Sequence, residues 1–99
     1  MSVTIITVST KPQGVIWWPN VSPGNKVERD EELAWNATQP GYISVVVVNV
    51  SENVNHMIAT FDTIENYRAW QALRLSTPLC DSRNEYNIAN GIVISYIYQ

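Results

Sequence analysis

His56 is the only histidine in the chain, and imidazole is the side chain best suited to proton transfer near neutral pH. It begins the segment His56–Phe61, whose residue types predict a strand. On that strand His56 shares a face with Ile58 and Thr60. We take His56 as the candidate catalytic residue, and the alternative is a half-exposed residue at the end of a hairpin strand.

Four aromatic side chains and one cation are candidates for a ligand pocket. Trp17 and Trp18 lie in a loop rich in proline and glycine, where they either offer flat surface to a planar ligand or fasten the loop to the core. Tyr67 and Trp70 are three residues apart on a predicted helix and share one side of it. The neighbouring Arg68 could bind a carboxylate. The alternative for the Tyr67–Trp70 pair is ordinary core packing, with Arg68 in solvent.

The remaining reactive side chains favour structural roles. Cys80 is the single cysteine, so no disulfide forms within the chain, and a buried inert thiol is the simplest interpretation. Asp62 and Glu65 resemble a carboxylate pair, but a helix N-cap with its capping box explains them better. The sequence contains no cluster of metal ligands, no glycine-rich phosphate loop and no nucleophile elbow. We therefore expect neither a metal nor a cofactor.

The charge pattern restricts the choice of partners. Charged residues make up 15% of the chain, below the usual share of about a quarter, which indicates that part of the surface is covered by a partner. The net charge is -3, and the six basic residues are scattered along the sequence, unlike those of a phosphate-backbone binder. There is no signal-like segment and no apolar stretch of about 20 residues. We expect a cytoplasmic protein that binds neither nucleic acid nor membrane.

Four strands and two helices are predicted to position these residues. The first helix is capped by Asn25, with Glu28 in the capping box, and ends at Gln39-Pro40-Gly41. The second starts at Asp62 or Thr63 and runs to about Leu75, and a short helix could follow from Ser82 to Ala89. The strands are predicted at residues 2–10, 42–50, 56–61 and 91–99.

This element order predicts one domain over residues 1–99 with an α+β fold. The arrangement βαββαβ favours a ferredoxin-like fold, in which both helices lie on one face of a four-stranded antiparallel sheet. The strand YISVVVVNV is apolar on both faces, since Val46 and Val48 point one way while Val45 and Val47 point the other. No long third helix is predicted. A second copy of the chain is therefore the simplest cover for the open sheet face.

The chain resembles a known superfamily in three features: its element order, its doubly apolar strands, and the segment FDTIENYRAW that enters the second helix. These features resemble the dimeric α+β barrel superfamily, which includes the antibiotic-biosynthesis-monooxygenase-like proteins. The resemblance implies homodimers with sheets packed face to face and a pocket between sheet and helices in each subunit. Members include cofactor-free monooxygenases, haem-degrading enzymes, dehydratases, isomerases and proteins without known activity. The Asn, Trp and His set of the haem-degrading members has no matching placement in this sequence.

Two functional hypotheses remain, with a third disfavoured. The first is a homodimeric enzyme that acts without a metal on a small aromatic compound, as a monooxygenase or an isomerase does. The second is a non-catalytic ligand-binding or assembly module of the same fold. An enzyme should place His56, Tyr67 or another titratable group in a closed cavity, whereas a module should fill that cavity with its own tryptophans. An RNA-binding sheet shares the strand order, but aliphatic strands and net negative charge disfavour it.

Overall fold

A computed structural model describes residues 2–98, apart from the side chains of residues 78, 79 and 98, and folds them into eight elements. Residues 1 and 99, which end the predicted domain range, lie outside this description, and residue 99 also ends the predicted fourth strand. The elements are β1 (Val3–Thr10), a 3-10 turn (Trp18–Asn20), α1 (Pro23–Asn36), β2 (Tyr42–Ser51), β3 (Val54–Phe61), α2 (Ile64–Leu75), α3 (Pro78–Ala89) and β4 (Val93–Tyr98).

The four strands form one antiparallel sheet in the order β2-β3-β1-β4. This confirms the predicted four-stranded antiparallel sheet of a ferredoxin-like α+β fold. The third strand begins at Val54, two residues earlier than predicted, because the hairpin turn takes only Glu52 and Asn53. The Asn53 carbonyl accepts a hydrogen bond from the backbone N–H of Lys11 at 2.9 Å, which joins this hairpin to the loop after β1.

Each α-helix begins after a hydroxyl residue whose side chain caps it. Ser22 caps α1, Thr63 caps α2 and Thr77 caps α3, each accepting a hydrogen bond from the backbone N–H three residues later. The predicted cap at Asn25 is wrong, because Asn25 donates its backbone N–H to Ser22. Pro23 fits the first turn of α1, since it lacks the N–H that would be left unpaired there. For α2, the end at Leu75 is confirmed, and of the two predicted starts Thr63 is the cap. The N-cap with a capping box predicted from Asp62 and Glu65 is wrong, because Thr63 accepts the backbone N–H of Asn66.

The third helix is longer than the sequence suggested. It starts at Pro78 rather than at Ser82, and its 12 residues correct the expectation that no further helix of adequate length remains. Pro78 occupies the first turn, where proline is tolerated, so a residue that reads as a break is in fact a helix start. The helix packs against α2 and the 3-10 turn, on the side of the sheet already covered by α1.

The two faces of the sheet therefore differ in cover. Val45 and Val47 pair with Ala59 and Met57 on the face that the three helices cover. Val46 and Val48 alternate with them along β2, so their side chains point to the other face. The predicted orientations of these valines are confirmed. On the open face, Val46 remains 48% exposed and Val48 44% exposed, because α3 adds its cover to the other side.

An aromatic cluster fills one end of the helix-covered face, which we call the packed end. Phe61 is fully buried, and its ring centroid lies 5.1 Å from that of Trp70 and 6.1 Å from that of Tyr67. The indole Nε1 of Trp70 donates a hydrogen bond of 2.9 Å to the side-chain oxygen of the fully buried Asn36. Ile5 completes this core. The packed end thus joins α1 and α2 to the centre of the sheet.

Gly41 makes the close approach between the α1–β2 connection and the start of α2. Its φ of 77° lies in the left-handed region that favours glycine. A Cβ at this position would lie 2.2 Å from Oδ1 of Asp62 and 2.6 Å from Nδ2 of Asn66. The Gly41 carbonyl also accepts the backbone N–H of Asp62 at 2.9 Å. Glycine is therefore required here both by conformation and by space.

Candidate functional site

A cavity of about 700 Å³ lies between the helix-covered face of the sheet and the three helices. This volume falls within the range of about 300–1,000 Å³ that is typical of small-molecule sites. The cavity occupies the opposite end of the face from Phe61, and we call this region the hollow end. Its floor is the sheet, and its walls are the helices and the loop that carries the 3-10 turn.

The hollow end exists because the side chains on the sheet become shorter and more polar along the strands. At the packed end, Val3 pairs with Phe61; at the hollow end, on the same face, Ser9 pairs with Asn55. Short polar side chains cannot reach the helices as an aromatic ring does, so space remains above them. The polar residues at this end of the floor are Thr7 and Ser9 on β1, Asn49 on β2 and Asn55 on β3, and the apolar Val47 and Met57 are in register with Thr7.

The helical wall is strongly basic. Lys26, Arg29 and Leu33 project from one side of α1 at helical spacing, and all three line the cavity. Arg74 from the end of α2 and Arg83 from α3 complete the basic wall. Four of the six basic residues of the chain therefore line one cavity, which corrects the impression of scattered charge given by the sequence.

Glu32 holds two of these arginines in place. Its carboxylate accepts hydrogen bonds from Arg83 at 2.9 and 3.3 Å and from Arg74 at 3.3 Å. Burial alone would raise the pKa of Glu32. The attraction and hydrogen bonds of the two arginines outweigh that effect and hold the pKa below its ordinary value of 4.5. The carboxylate is therefore ionised at neutral pH and keeps both guanidinium groups at the wall.

Two cations lie against the tryptophan rings of the loop that carries the 3-10 turn. The guanidinium of Arg83 lies 4.9 Å from the ring centroid of Trp18, and the Lys11 ammonium lies 5.6 Å from that of Trp17. The side-chain amide of Asn25 donates to the Trp18 carbonyl at 2.9 Å, which ties the 3-10 turn to α1. The Nε of Arg83 is buried and has no hydrogen-bond partner within residues 2–98. The wall thus combines the flat apolar rings of Trp17 and Trp18 with the Arg83 Nε–H donor, which has no acceptor among the described residues.

The structure brings two of the six predicted site residues to this cavity. Trp17 and Trp18 line it. Tyr67 and Trp70 are buried in the packed end instead, and the neighbouring Arg68 is exposed. None of these last three is among the described lining residues.

His56 lies on the other face of the sheet. It pairs with Val8 on β1 and with Val48 on β2, and all three side chains point away from the helices. Side chains alternate between the two faces along β3. Asn55 and Met57, the neighbours of His56, face the cavity, so His56 faces the opposite side. A role for His56 in a reaction stays a prediction, and the geometry gives it no access to the cavity.

The sequence did not identify the polar floor residues or the basic wall residues of the cavity. One signal was available, since every second residue of β1 changes from Val3 and Ile5 to Thr7 and Ser9 on a single face. Polar residues at buried-face positions of a strand indicate a cavity or a site. The basic wall had no comparable signal, because its four members come from three different helices.

Cys80 is buried, as predicted. Within residues 2–98, no group of three or more His, Cys, Asp and Glu side chains is arranged to hold a metal ion. No helix in this range is both long and apolar enough to cross a membrane. The cytoplasmic location stays a prediction.

Comparison with known proteins bears on the fold. No family model matches the chain, and no curated protein matches it. A crystal structure of SnoaB, a cofactor-independent oxygenase from Streptomyces nogalater, is 16% identical over 99% of this chain and 90% of SnoaB, with a TM-score of 0.55. A mutant of SnoaB gives a TM-score of 0.58 at the same identity and coverage.

The chain has the fold of SnoaB. A protein of unknown function from Bacteroides thetaiotaomicron VPI-5482, described as a possible oxidoreductase, is 11% identical to this chain over 99% of it and 97% of its own length, with a TM-score of 0.52. These matches confirm the fold resemblance that the sequence suggested. At such low identity they concern the fold alone.

Proposed function

We propose that the protein is a cofactor-independent oxygenase that acts on a small hydroxylated aromatic compound bound in the cavity. The observation that carries the proposal is the cavity itself, which has about 700 Å³ of space between sheet and helices. The fold is shared with SnoaB, a cofactor-independent oxygenase. The tryptophans at the cavity line its wall and do not fill it, which favours a site for a ligand over a packed module.

The chemistry needs little from the protein beyond binding. An electron-rich ring system with an activated CH₂ group can reduce O₂ itself. One oxygen atom enters as a new C=O, and both hydrogens of the CH₂ leave with the other oxygen as water. The chain would orient the ring, exclude bulk water and stabilise the charge that develops during the reaction. The apolar and amide side chains of the floor and the basic wall fit these tasks.

Oxygen consumption tests the proposal directly. Anthrone is a suitable probe, because oxidation to anthraquinone consumes one O₂ and changes the absorbance. We expect uptake well above the uncatalysed rate, and a loss of about tenfold in Ser9→Leu, which places a larger side chain in the cavity. The exposed Arg68→Gln variant is the matched control and should keep the full rate. Uptake no faster than that without protein, across several hydroxylated anthrones, would contradict the proposal.

One observation favours the second hypothesis, a non-catalytic ligand-binding or assembly module. Among the described lining residues there is no carboxylate, histidine, tyrosine or cysteine that could act as a general base. A binding protein needs no such group. Tight binding of an aromatic compound without oxygen consumption would select this alternative.

We also propose that the protein is a homodimer through the open sheet face. That face is mostly apolar, with His56 and Ser95 among its polar members, and leaving each 100 Å² of apolar surface in water forgoes about 2.5 kcal/mol. Thr4 and Thr60, on the two inner strands, share a hydrogen bond of 3.1 Å between their hydroxyl groups, so these hydroxyls do not both need a partner outside the sheet. An identical face of a second copy would match this surface. The apolar members are Ile6, Val8, Val46, Val48, Ile58, Val93 and Ile97.

Sedimentation tests the dimer. Wild-type protein at micromolar concentration should sediment with twice the mass of one chain. Ile58→Lys, which places a charge on the middle strand of the open face, should give the single-chain mass with unchanged circular dichroism. Ile88→Lys is the matched control, since Ile88 is 81% exposed on α3 and lies outside the proposed interface. A wild-type monomer would contradict the dimer.

A further inference from the structure

The charge of the cavity is opposite to that of the whole chain. The sequence has nine acidic and six basic residues, yet the described lining includes four basic residues and no carboxylate. A cavity with ordinary lining in such a protein would be neutral or acidic. Concentrating like charges in one place costs electrostatic free energy, so the arrangement calls for a compensating negative group.

The acidic neighbours of the wall compensate it only in part. Glu32 is shared by Arg74 and Arg83, whose side chains are 13% and 18% exposed, so these three groups carry one net positive charge. Asp30 pairs with Arg29, but its side chain is 61% exposed and the pair is at the surface.

The remaining nearby carboxylates lie on the other side of Arg74. Glu28 and Glu31 line a separate cavity of about 350 Å³, together with Glu32 and Arg74. The two cavities therefore differ in lining, one with three carboxylates and the other with four basic groups.

The geometry of Arg83 is that of an anion receptor. Its guanidinium is held by the Glu32 carboxylate and lies over the Trp18 ring, so the group is oriented before any ligand arrives. Its buried Nε has no partner among the described residues. Across the cavity, Asn49 and Asn55 on the sheet floor provide neutral amide donors. The cavity volume of about 700 Å³ lies in the range of sites for small ring compounds.

We propose that the cavity binds its ligand as an anion, namely a planar aromatic compound with a carboxylate or an ionised phenol directed at the basic wall. The inference rests on the proposed function for the aromatic nature of the ligand. For a phenolic substrate, the wall lowers the free energy of the phenolate, and the proton passes to solvent. The phenolate is the electron-rich form that gives up electrons to O₂, so no protein base is required.

A pair of probes that differ only in charge tests the inference. We would measure the binding of 2-naphthoate and of its neutral analogue 2-naphthamide by calorimetry, at low and at physiological ionic strength. The acid should bind at least about tenfold more tightly, which corresponds to one charge-assisted hydrogen bond. Its advantage should shrink as salt is added, because part of the wall is exposed to solvent. Equal affinities, or no binding of either probe, would overturn the inference.

Variants locate the effect in the wall. Arg83→Gln should weaken naphthoate binding by about tenfold and leave naphthamide binding unchanged. If Arg83→Gln fails to fold, Lys26→Gln provides the test, because Lys26 is an exposed residue at the cavity. Lys26→Gln should weaken naphthoate binding by about threefold and leave naphthamide binding unchanged. Arg68→Gln, which removes an exposed arginine outside the cavity, should change neither affinity. An equal loss for both probes would overturn the inference.

The binding test separates this inference from the proposed function. If the acid is preferred but no aromatic compound stimulates oxygen uptake, the inference stands and the oxygenase proposal fails. If oxygen uptake is found with neutral substrates and the acid has no advantage, the oxygenase proposal stands and the inference fails.

Discussion

The packed end and the hollow end of the helix-covered face are built from the same strands and helices, yet one is filled and the other is open. On β3, Phe61 and Met57 are four residues apart on the same face, and the first is fully buried whereas the second lines the cavity. On β1, Ile5 and Ser9 show the same contrast. Side-chain size and polarity along the strands, rather than backbone architecture, therefore divide the sheet into a stabilising region and a candidate binding region.

The largest expected effect comes from removing the centre of the packed end. Phe61→Ala should lower the free energy of unfolding by about 4 kcal/mol, because it leaves a cavity among rings that cannot close around it. Met57→Ala on the same strand should cost no more than about 2 kcal/mol, since its side chain already borders open space. Urea unfolding of both variants measures this difference. Equal losses would show that the two ends do not differ in packing.

Two glycines with positive φ provide a second comparison. Gly41→Ala should cost about 3 kcal/mol, because a left-handed conformation is combined with a clash against Asp62 and Asn66. Gly14→Ala should cost only about 1 kcal/mol, since its φ is also positive but nothing lies within 4 Å of the added Cβ. Thermal unfolding of the two variants separates the steric contribution from the conformational one. A Gly14 variant as unstable as the Gly41 variant would argue against the crowding at Gly41.

Glu32 links the basic wall to overall stability in a pH-dependent way. Glu32→Gln should cost about 2 kcal/mol at pH 7, less than for a fully buried pair because both arginines keep some contact with water. The pKa of Glu32 is lower in the folded chain than its ordinary 4.5, so its stabilising contribution is present above that pH. It is lost as the pH falls through the folded value. The difference between wild type and variant should therefore shrink below about pH 4.5.

Unfolding curves at several pH values measure this dependence. Glu85→Gln, a change at an exposed position of α3, is the matched control and should show little effect at any pH. A Glu32 effect that is constant between pH 7 and pH 3 would contradict the assignment of the ion pairs.

The smallest expected change in stability is at the floor of the hollow end. Ser9→Leu should change the free energy of unfolding by less than about 1 kcal/mol, because the added side chain enters open space instead of a packed core. The same variant should weaken naphthoate binding by at least about tenfold. Ser95→Leu on β4 is the control, since Ser95 pairs with Val8 on the open face and should not affect binding. A loss of stability comparable to that of Phe61→Ala would mean that the space is not accessible.

The fold was predictable because its signals are local or periodic. The β-branched strands and the doubly apolar strand 42–50 each indicate their own structure within a few residues. The sequence places the starts of α1 and α3 too late, at Asn25 and Ser82, because the prolines Pro23 and Pro78 do not stand out as first-turn residues although proline is favoured there.

The candidate site was predictable only in part because its members are distant in sequence. Trp17 and Trp18 were found, since an apolar aromatic pair in a loop is unusual in itself. Arg29, Arg74 and Arg83 look like solvated helix residues until the helices are packed together. His56 and Trp70 were predicted from their residue types, but neither lies at the cavity. His56 is on the open face of the sheet, and Trp70 is buried in the core.

The depth of Arg74 and Arg83 sets the size of what they can attract. Their side chains are largely shielded from water, so only a small group that enters the cavity can contact them directly. At physiological salt, attraction fades over about 8 Å, which is too short for the cavity to draw large anions from a distance. For the anion site proposed above, this depth favours small, flat, negatively charged molecules over macromolecules.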